Sequence, residues 1–399
     1  MSPDSSAPLR VLVAGGGVAG LESLLAIRAL AGERVELTLL TPEREFAFRP
    51  MAVAVPFARG HMQRVDLADV ARDTGAELVR GVLAEVDADA HEAVLADGRR
   101  LGYDALLVAV GAASEPAWSR VNTWTPEQDR EVFGGLLADL EEGYAKRVAF
   151  VVPPGVAWPL PAYELALMTA WDARDMGQDD VQVTVYTYER EPLEIFGAEA
   201  SAALRTDLEE AGVTICPDTV VEEDPDAPAR LLANGEPLAS QRVVALPRAI
   251  APGLGGLPVD ERGFVRVDEH GRVEGTPDVW AAGDAVAFPI KQGGLAAQQA
   301  DAAAESIAAQ AGADVDPQPF RPVLRGVLLT GRGSQWIRRD LGTEGSEGEA
   351  ERHALWWPPT KVAGRYLAPY LAKREEAAFT DADRPSGQLV EFTVEGHGR

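Results

Sequence analysis

The chain has 399 residues, with 37 Lys and Arg against 63 Asp and Glu, giving a formal net charge of −26. That balance excludes nucleic acid as the main partner, because phosphate binding needs a basic footprint. The single cysteine, Cys216, excludes an intramolecular disulfide, a CxxC redox pair and a multi-cysteine metal centre. The five histidines lack HExxH spacing, so no metal site is expected. Residues 1–8 are short and polar, without the apolar stretch of a signal peptide. No apolar run approaches the ~20 residues of a membrane-crossing helix. The expectation is a cytoplasmic protein of two or three domains.

Residues 10–14 (Arg-Val-Leu-Val-Ala) read as a buried parallel strand. The turn Gly15-Gly16-Gly17-Val18-Ala19-Gly20 follows, then a helix carrying Leu21, Leu24 and Leu25, then a strand at 35–40. Gly15, Gly17 and Gly20 fit G-x-G-x-x-G in the strand–turn–helix context that a dinucleotide fingerprint requires. Gly15 permits the tight turn, Gly17 lets the backbone approach a pyrophosphate, and Gly20 allows close helix–strand packing. The ribose-binding acid of this motif would fall at Thr41; Glu43, two residues on, is the nearest replacement.

Further strands are predicted at 76–79, 84–87 and 91–95, and another over 103–110 ending at Gly111. A helix is expected over 127–144. A second strand–helix–strand pattern runs through 147–152, 162–176 and 181–187. A helix at 199–211 leads to a strand at 213–216 that ends in Cys216, and a strand at 242–246 closes this block. Residues 276–284 (Thr-Pro-Asp-Val-Trp-Ala-Ala-Gly-Asp) read as a strand ending in Gly283-Asp284, with a helix from 294 to 310 behind it. The stretch 342–351 is rich in Gly, Glu and Ser and is expected to be a mobile loop.

Three motifs in order, the glycine turn, Tyr103-Asp104 running to Gly111, and Gly283-Asp284, resemble the pyridine nucleotide–disulfide oxidoreductase superfamily of flavoproteins. The resemblance covers nearly all of residues 9–310. It implies an α/β fold of two Rossmann-like dinucleotide-binding domains, the second inserted in the first, plus a C-terminal segment. The FAD-binding domain would span 9–118 and 246–315, the second, NAD(P)-binding-like domain 119–245, and the C-terminal domain 316–399. FAD is the implied cofactor, with Asp284 on its ribityl chain.

Within the superfamily the chain is most similar to the sulfide:quinone oxidoreductases and type II NADH:quinone dehydrogenases. Glu45-Phe-Ala-Phe-Arg49-Pro50 resembles their aromatic-then-proline stretch. Lys291-Gln-Gly-Gly-Leu295-Ala296 resembles the helix start beside the flavin ring, where the Leu295 and Ala296 amides would stabilise charge. Tyr163-Glu164-Leu165-Ala166 resembles the Val-Glu-Leu-Ala whose Glu faces the flavin. Lys291 and Glu164 are thus the candidate catalytic residues.

Two departures matter. One thiol cannot form the internal bridge of the sulfide-oxidising branch. The second turn, Val152-Pro-Pro-Gly155-Val-Ala-Trp158-Pro-Leu-Pro161, carries one glycine and four prolines, and prolines lack the N–H groups that cradle phosphate. Trp158 competes for nicotinamide space, while Glu189 remains a candidate ribose acid, so NAD(P)H binding stays open.

Trp356, Trp357, Tyr366 and Tyr370 either pack the C-terminal lobe or build a quinone-sized slot or interfacial anchor. Lys361, Arg365, Lys373 and Arg374 make this the one basic stretch, suited to peripheral contact with the inner face of a membrane. Lys361 is also placed to polarise an acceptor. The expected function is an FAD-dependent oxidoreductase passing electrons from a donor, NAD(P)H being one candidate, to a quinone-like acceptor without a cysteine relay; homodimer formation is left open. The alternatives are a flavoenzyme acting on a small molecule without nicotinamide, and a non-catalytic redox-sensing flavoprotein.

Overall fold

The computed structural model describes residues 7–126, 129–227, 230–343, 345–375 and 390–391. Strand β1 (Leu9–Ala14) leads into helix α1 (Val18–Ala31), then β2 (Val35–Thr41), β3 (Glu77–Arg80) and β4 (Ala105–Val108). The second block holds β5 (Asn122–Thr123), β6 (Arg147–Val152), α2 (Leu160–Asp175), β7 (Gln182–Thr187), β8 (Thr214–Cys216) and β9 (Arg242–Ala245). The chain then returns through β10 (Val279–Ala281) and α3 (Gly293–Gln310).

Two five-stranded parallel sheets result, in the orders β10–β4–β1–β2–β3 and β5–β9–β6–β7–β8. The fold is α/β, with two Rossmann-like units. β10 completes the first sheet from beyond the second block, so the second unit is inserted in the first. β4 is buried at all four positions, as its unbroken apolar run demands. Asp104 pins the start of β4 to β1 through Arg10, at 2.6 Å and 3.1 Å. A short antiparallel ribbon, Ala113–Glu115 against Arg248–Ile250, joins the units where the chain leaves and returns.

The C-terminal part differs from the sequence expectation. An antiparallel pair, β11 (Val323–Leu329) and β12 (Ser334–Asp340), turns through residues 330–333, with Leu329 opposite Ser334. No strand was expected there, although Thr330-Gly-Arg-Gly333 between two apolar-rich runs is a hairpin signal. The expected mobile loop at 342–351 is partly ordered, because β13 (Glu349–Glu351) pairs with β12; Glu344 lies outside the described residues. The helix expected over 127–144 is observed over Asp129–Glu141; its first two expected positions lie outside the described residues. So do residues 1–6 and most of the chain after 375. Among the described residues, no helix is long and apolar enough to cross a membrane.

Helix α4 (Leu367–Arg374) is latched to the first unit by a buried carboxylate. Helices α1 and α3 pack closely through Ala26, Ala300, Ala303 and Ala304, and this leaves Glu22 of α1 fully buried. Its carboxylate accepts the backbone N–H groups of Tyr366 and Leu367, each at 2.7 Å. Asp301 of α3 hydrogen-bonds the same carboxyl. Any side chain at Gly364 would run into Glu22, its Cβ meeting Oε2 at 2.4 Å. Burial pushes Glu22 up to about 7, against the pull of these backbone donors. Burial and the neighbouring Glu22 push Asp301 well above its ordinary range.

The folded chain therefore holds these protons more tightly than the unfolded chain. The contribution of this carboxyl to stability is fully present below the ordinary carboxyl range and is lost as pH rises through about 7. The melting temperature is expected to fall between mildly acidic and mildly alkaline buffer. Glu22→Gln is expected to flatten that slope; an unchanged slope in the variant refutes the assignment.

Candidate active site

The glycine turn shows which of its positions are structural. Gly15 has φ +129°, and a Cβ there would sit 2.1 Å from the Ala109 carbonyl oxygen of β4's end. A Cβ at Gly20 would sit 1.9 Å from the Gly15 carbonyl oxygen. Gly16 is tight against Thr41, whose Oγ1 a Cβ would meet at 2.8 Å. Gly17 differs, with extended backbone and nothing within 4 Å of its would-be Cβ. It is the N-cap of α1, and no side chain caps that helix. The first-turn N–H groups thus face an open cradle, which fits a pyrophosphate. Gly111, at φ +77°, likewise has nothing within 4 Å.

At the end of β2, Thr41 is buried and donates from Oγ1 to Glu43 Oε2 at 2.6 Å. Glu43 is exposed, so the acid offered at this strand end is Glu43 and Thr41 orients it. Asp284 follows β10, where Gly283 N–H docks on Gln299 Oε1 at 2.8 Å. Burial pushes the Asp284 carboxyl above its ordinary value, with Lys291 and Arg49 pulling it back. The turns Gly15–Gly17, Glu43, Gly111 and Asp284 all lie at the carboxyl end of the first sheet, where such folds bind ligands.

The start of α3 corrects one expectation. Leu295 N–H donates to the Gln292 side chain at 2.8 Å, and Ala296 N–H donates to the Gln292 carbonyl at 2.9 Å. Neither amide is available to a ring. Gly293 and Gly294 are left as the first-turn donors. Lys291 sits just before, its Nζ donating to the Val286 carbonyl and lying 3.9 Å from the Phe264 ring centre. Burial pulls this lysine down to about 8, against the charge of Asp284.

Glu164 and Lys361 form a buried ion pair at 2.5 Å, with side chains 1% and 7% exposed. The same Glu164 oxygen accepts Leu329 N–H from β11 at 2.8 Å, and Lys361 also donates to the Pro50 carbonyl at 3.2 Å. Burial pushes Glu164 above its ordinary value, in spite of the ammonium beside it. The pair stands between two cavities. One, of about 190 Å³, is lined by Arg49, Trp124, Trp158, Glu164, Lys291 and Gly293. The other, of about 300 Å³, is apolar and lined by Phe48, Met51, Leu329, Trp336, Leu367 and Leu371. Val327, Lys361 and Val362 line both.

The C-terminal aromatics do not line the apolar cavity. Trp356 is fully buried, edge-on to Trp336 at 4.6 Å, with Nε1 donating to the Thr360 carbonyl at 2.9 Å. Tyr366 is buried in the α1–α3 core, and Tyr370 donates to Asp73 at 2.9 Å. The segment supplies the cavity through Lys361, Val362, Leu367 and Leu371 instead. Its positive charge is also largely spent. Lys361 pairs with Glu164, Arg365 with Glu305 and Arg374 with Asp69 and Asp73. Cys216 ends an outer strand of the second sheet, and burial raises its thiol pKa. Among the described residues, no group of His, Cys, Asp and Glu is arranged to hold a metal.

A family model described as pyridine nucleotide-disulphide oxidoreductase matches residues 163–306, from the first turn of α2 through most of α3. The chain is similar to that superfamily over this part of its length. Among curated relatives, the chain is 28% identical over 176 residues to a sulfide-quinone reductase of Aquifex aeolicus. That match spans 42% of this chain and 40% of the relative, less than half of either. Among solved structures, the sulfide:quinone oxidoreductase of Aquifex aeolicus superposes with a TM-score of 0.75 at 20% identity, covering 86% of this chain and 87% of that one. A NAD-dependent persulfide reductase from A. fulgidus superposes with a TM-score of 0.60 at 19% identity, covering 83% and 64%. Both likenesses concern the fold.

Proposed function

We propose that this chain is an FAD-dependent oxidoreductase that passes electrons from a small donor to a quinone-like acceptor, without a cysteine relay. The observation that carries this reading is the buried Glu164–Lys361 pair, set between a crevice that holds Arg49 and Lys291 and an apolar cavity of about 300 Å³. A quinone has the same division, an apolar body with carbonyl oxygens that need a hydrogen-bond donor.

FAD would be held by the Gly15–Gly20 turn, Glu43, Arg49, Gly111 and Asp284. When bound, it supplies the electron-transfer chemistry that protein side chains lack. The open cradle at Gly17 and the uncapped α1 start fit its pyrophosphate. The Gly293 and Gly294 amides stand where α3 begins, and helix starts favour negative charge. Lys291, with its pKa near 8, holds a proton that it can release close to neutral pH. Lys361 offers a fixed positive donor at the wall of the apolar cavity, and Glu164 holds it there. Phe48, Leu367 and Leu371 supply apolar wall to that cavity. With three basic side chains already paired, membrane contact at this face would rest on apolar surface more than on charge.

The test is spectroscopic. Purified protein is expected to carry FAD, to bleach with dithionite under anaerobic conditions, and to regain colour on addition of a short-chain benzoquinone. Protein that neither retains nor binds FAD, or reduced flavin that no quinone reoxidises, would end this reading.

A further inference from the structure

The two units carry the same device at the end of their second strands, and only one is open. In the first, Thr41 Oγ1 donates to Glu43 Oε2 at 2.6 Å, and Glu43 N–H returns to Thr41 Oγ1 at 3.3 Å. In the second, Thr187 Oγ1 donates to Glu189 Oε2 at 3.0 Å, and Glu189 N–H returns to Thr187 Oγ1 at 3.2 Å. The acids occupy corresponding places, two residues after a buried threonine that ends the strand beside the central one. Glu43 is exposed, whereas Glu189 is 1% exposed. Tyr163, in the first turn of α2 and fully buried, donates its hydroxyl to Glu189 Oε2 at 2.6 Å. The other carboxylate oxygen, Oε1, is buried without a hydrogen-bond partner. An acid turned inward in this way cannot reach ribose hydroxyls.

The turn before α2 is filled as well. Three residues separate β1 from α1, all glycine; seven separate β6 from α2, at 153–159. Pro153 and Pro159 are buried in that turn, and Pro161 removes a further N–H from the first turn of the helix. Trp158 packs edge-on against Phe196 at 5.7 Å. The Ala157 carbonyl is tied to Lys291 N–H at 3.2 Å, and the Pro154 carbonyl to Arg248 Nε at 3.3 Å. Where the first unit leaves an open cradle, the second has side chains and interdomain ties. These residues do not fit a pyridine dinucleotide.

We propose that the second unit is a closed dinucleotide site, plugged by the proline turn, Trp158 and the Tyr163–Glu189 contact, so that NADH and NADPH do not reduce the flavin through it. This rests on the reading of the chain as a flavoprotein, and narrows its donor.

The experiment uses the FAD-loaded protein under anaerobic conditions. Millimolar NADH or NADPH is expected to leave the flavin absorbance unchanged over minutes, and ADP-ribose is expected to leave the melting temperature unchanged. Dithionite followed by a short-chain benzoquinone runs beside it. Bleaching by either nucleotide, or a melting shift of several degrees with ADP-ribose, overturns the closed site. Failure of the quinone step overturns the acceptor assignment and leaves the closed site standing.

Discussion

Lys361→Met is expected to lose about 3–5 kcal/mol of folding stability, because it leaves a buried carboxylate without its cation. The partner geometry gives the reason. Glu164 is 1% exposed, and its remaining donor is a single backbone N–H from Leu329. Glu164→Gln is expected to cost stability too, since it strands the ammonium near Pro50. The double variant Glu164→Gln with Lys361→Met removes both charges, and is expected to recover most of the loss. Urea unfolding of the four proteins measures this cycle. Quinone turnover should behave differently. If Lys361 polarises the acceptor, the double variant stays slow even though it is stable again, with kcat reduced more than KM is raised. A double variant that regains both stability and turnover would show that the pair only holds the cavity walls together.

Gly17→Val is expected to separate the fold from its cofactor. The backbone at Gly17 is extended, a conformation open to any residue, and its Cβ would meet nothing within 4 Å. The apoprotein should therefore melt close to the wild type. The added side chain would stand in the cradle, and FAD affinity is expected to fall by roughly two orders of magnitude, about 2.8 kcal/mol. Fluorescence titration of apoprotein with FAD measures it. Gly15→Ala and Gly20→Ala give the contrast, since their Cβ atoms would collide with backbone oxygens at 2.1 Å and 1.9 Å. Those variants are expected to melt early with or without FAD. Unchanged FAD affinity in Gly17→Val would move the phosphate site elsewhere.

The first unit was readable because its glycines answer to backbone sterics, which act over a few residues. The strand ends near Thr41, Gly111 and Asp284 could be placed for the same reason. Glu164 and Lys361 were each singled out, but their pairing spans 197 residues and needs β11 to bring Leu329 beside them. The α3 start was misjudged because glutamine is not a favoured N-cap, yet Gln292 caps Leu295. The aromatic run stands out by composition, yet Trp356 and Tyr366 are buried against core neighbours and Tyr370 donates to Asp73. Glu22 and Asp301 gave no local signal at all. Acidic residues on helices ordinarily face water, and only the alanine-lined contact of α1 with α3 closes over these two.

The insertion of one unit into the other fixes an order of assembly. During synthesis, β4 emerges long before β10, its neighbour in the sheet, so that edge waits while the intervening unit is made. The inserted unit holds all five strands of its own sheet between β5 and β9, and can close first. Its folding brings the ribbon partners Ala113–Glu115 and Arg248–Ile250 together. That shortens the effective loop between β4 and β10 and lowers the entropy cost of joining them. Asp284 follows β10 directly, so the proposed cofactor cradle is complete only once β10 has joined the sheet.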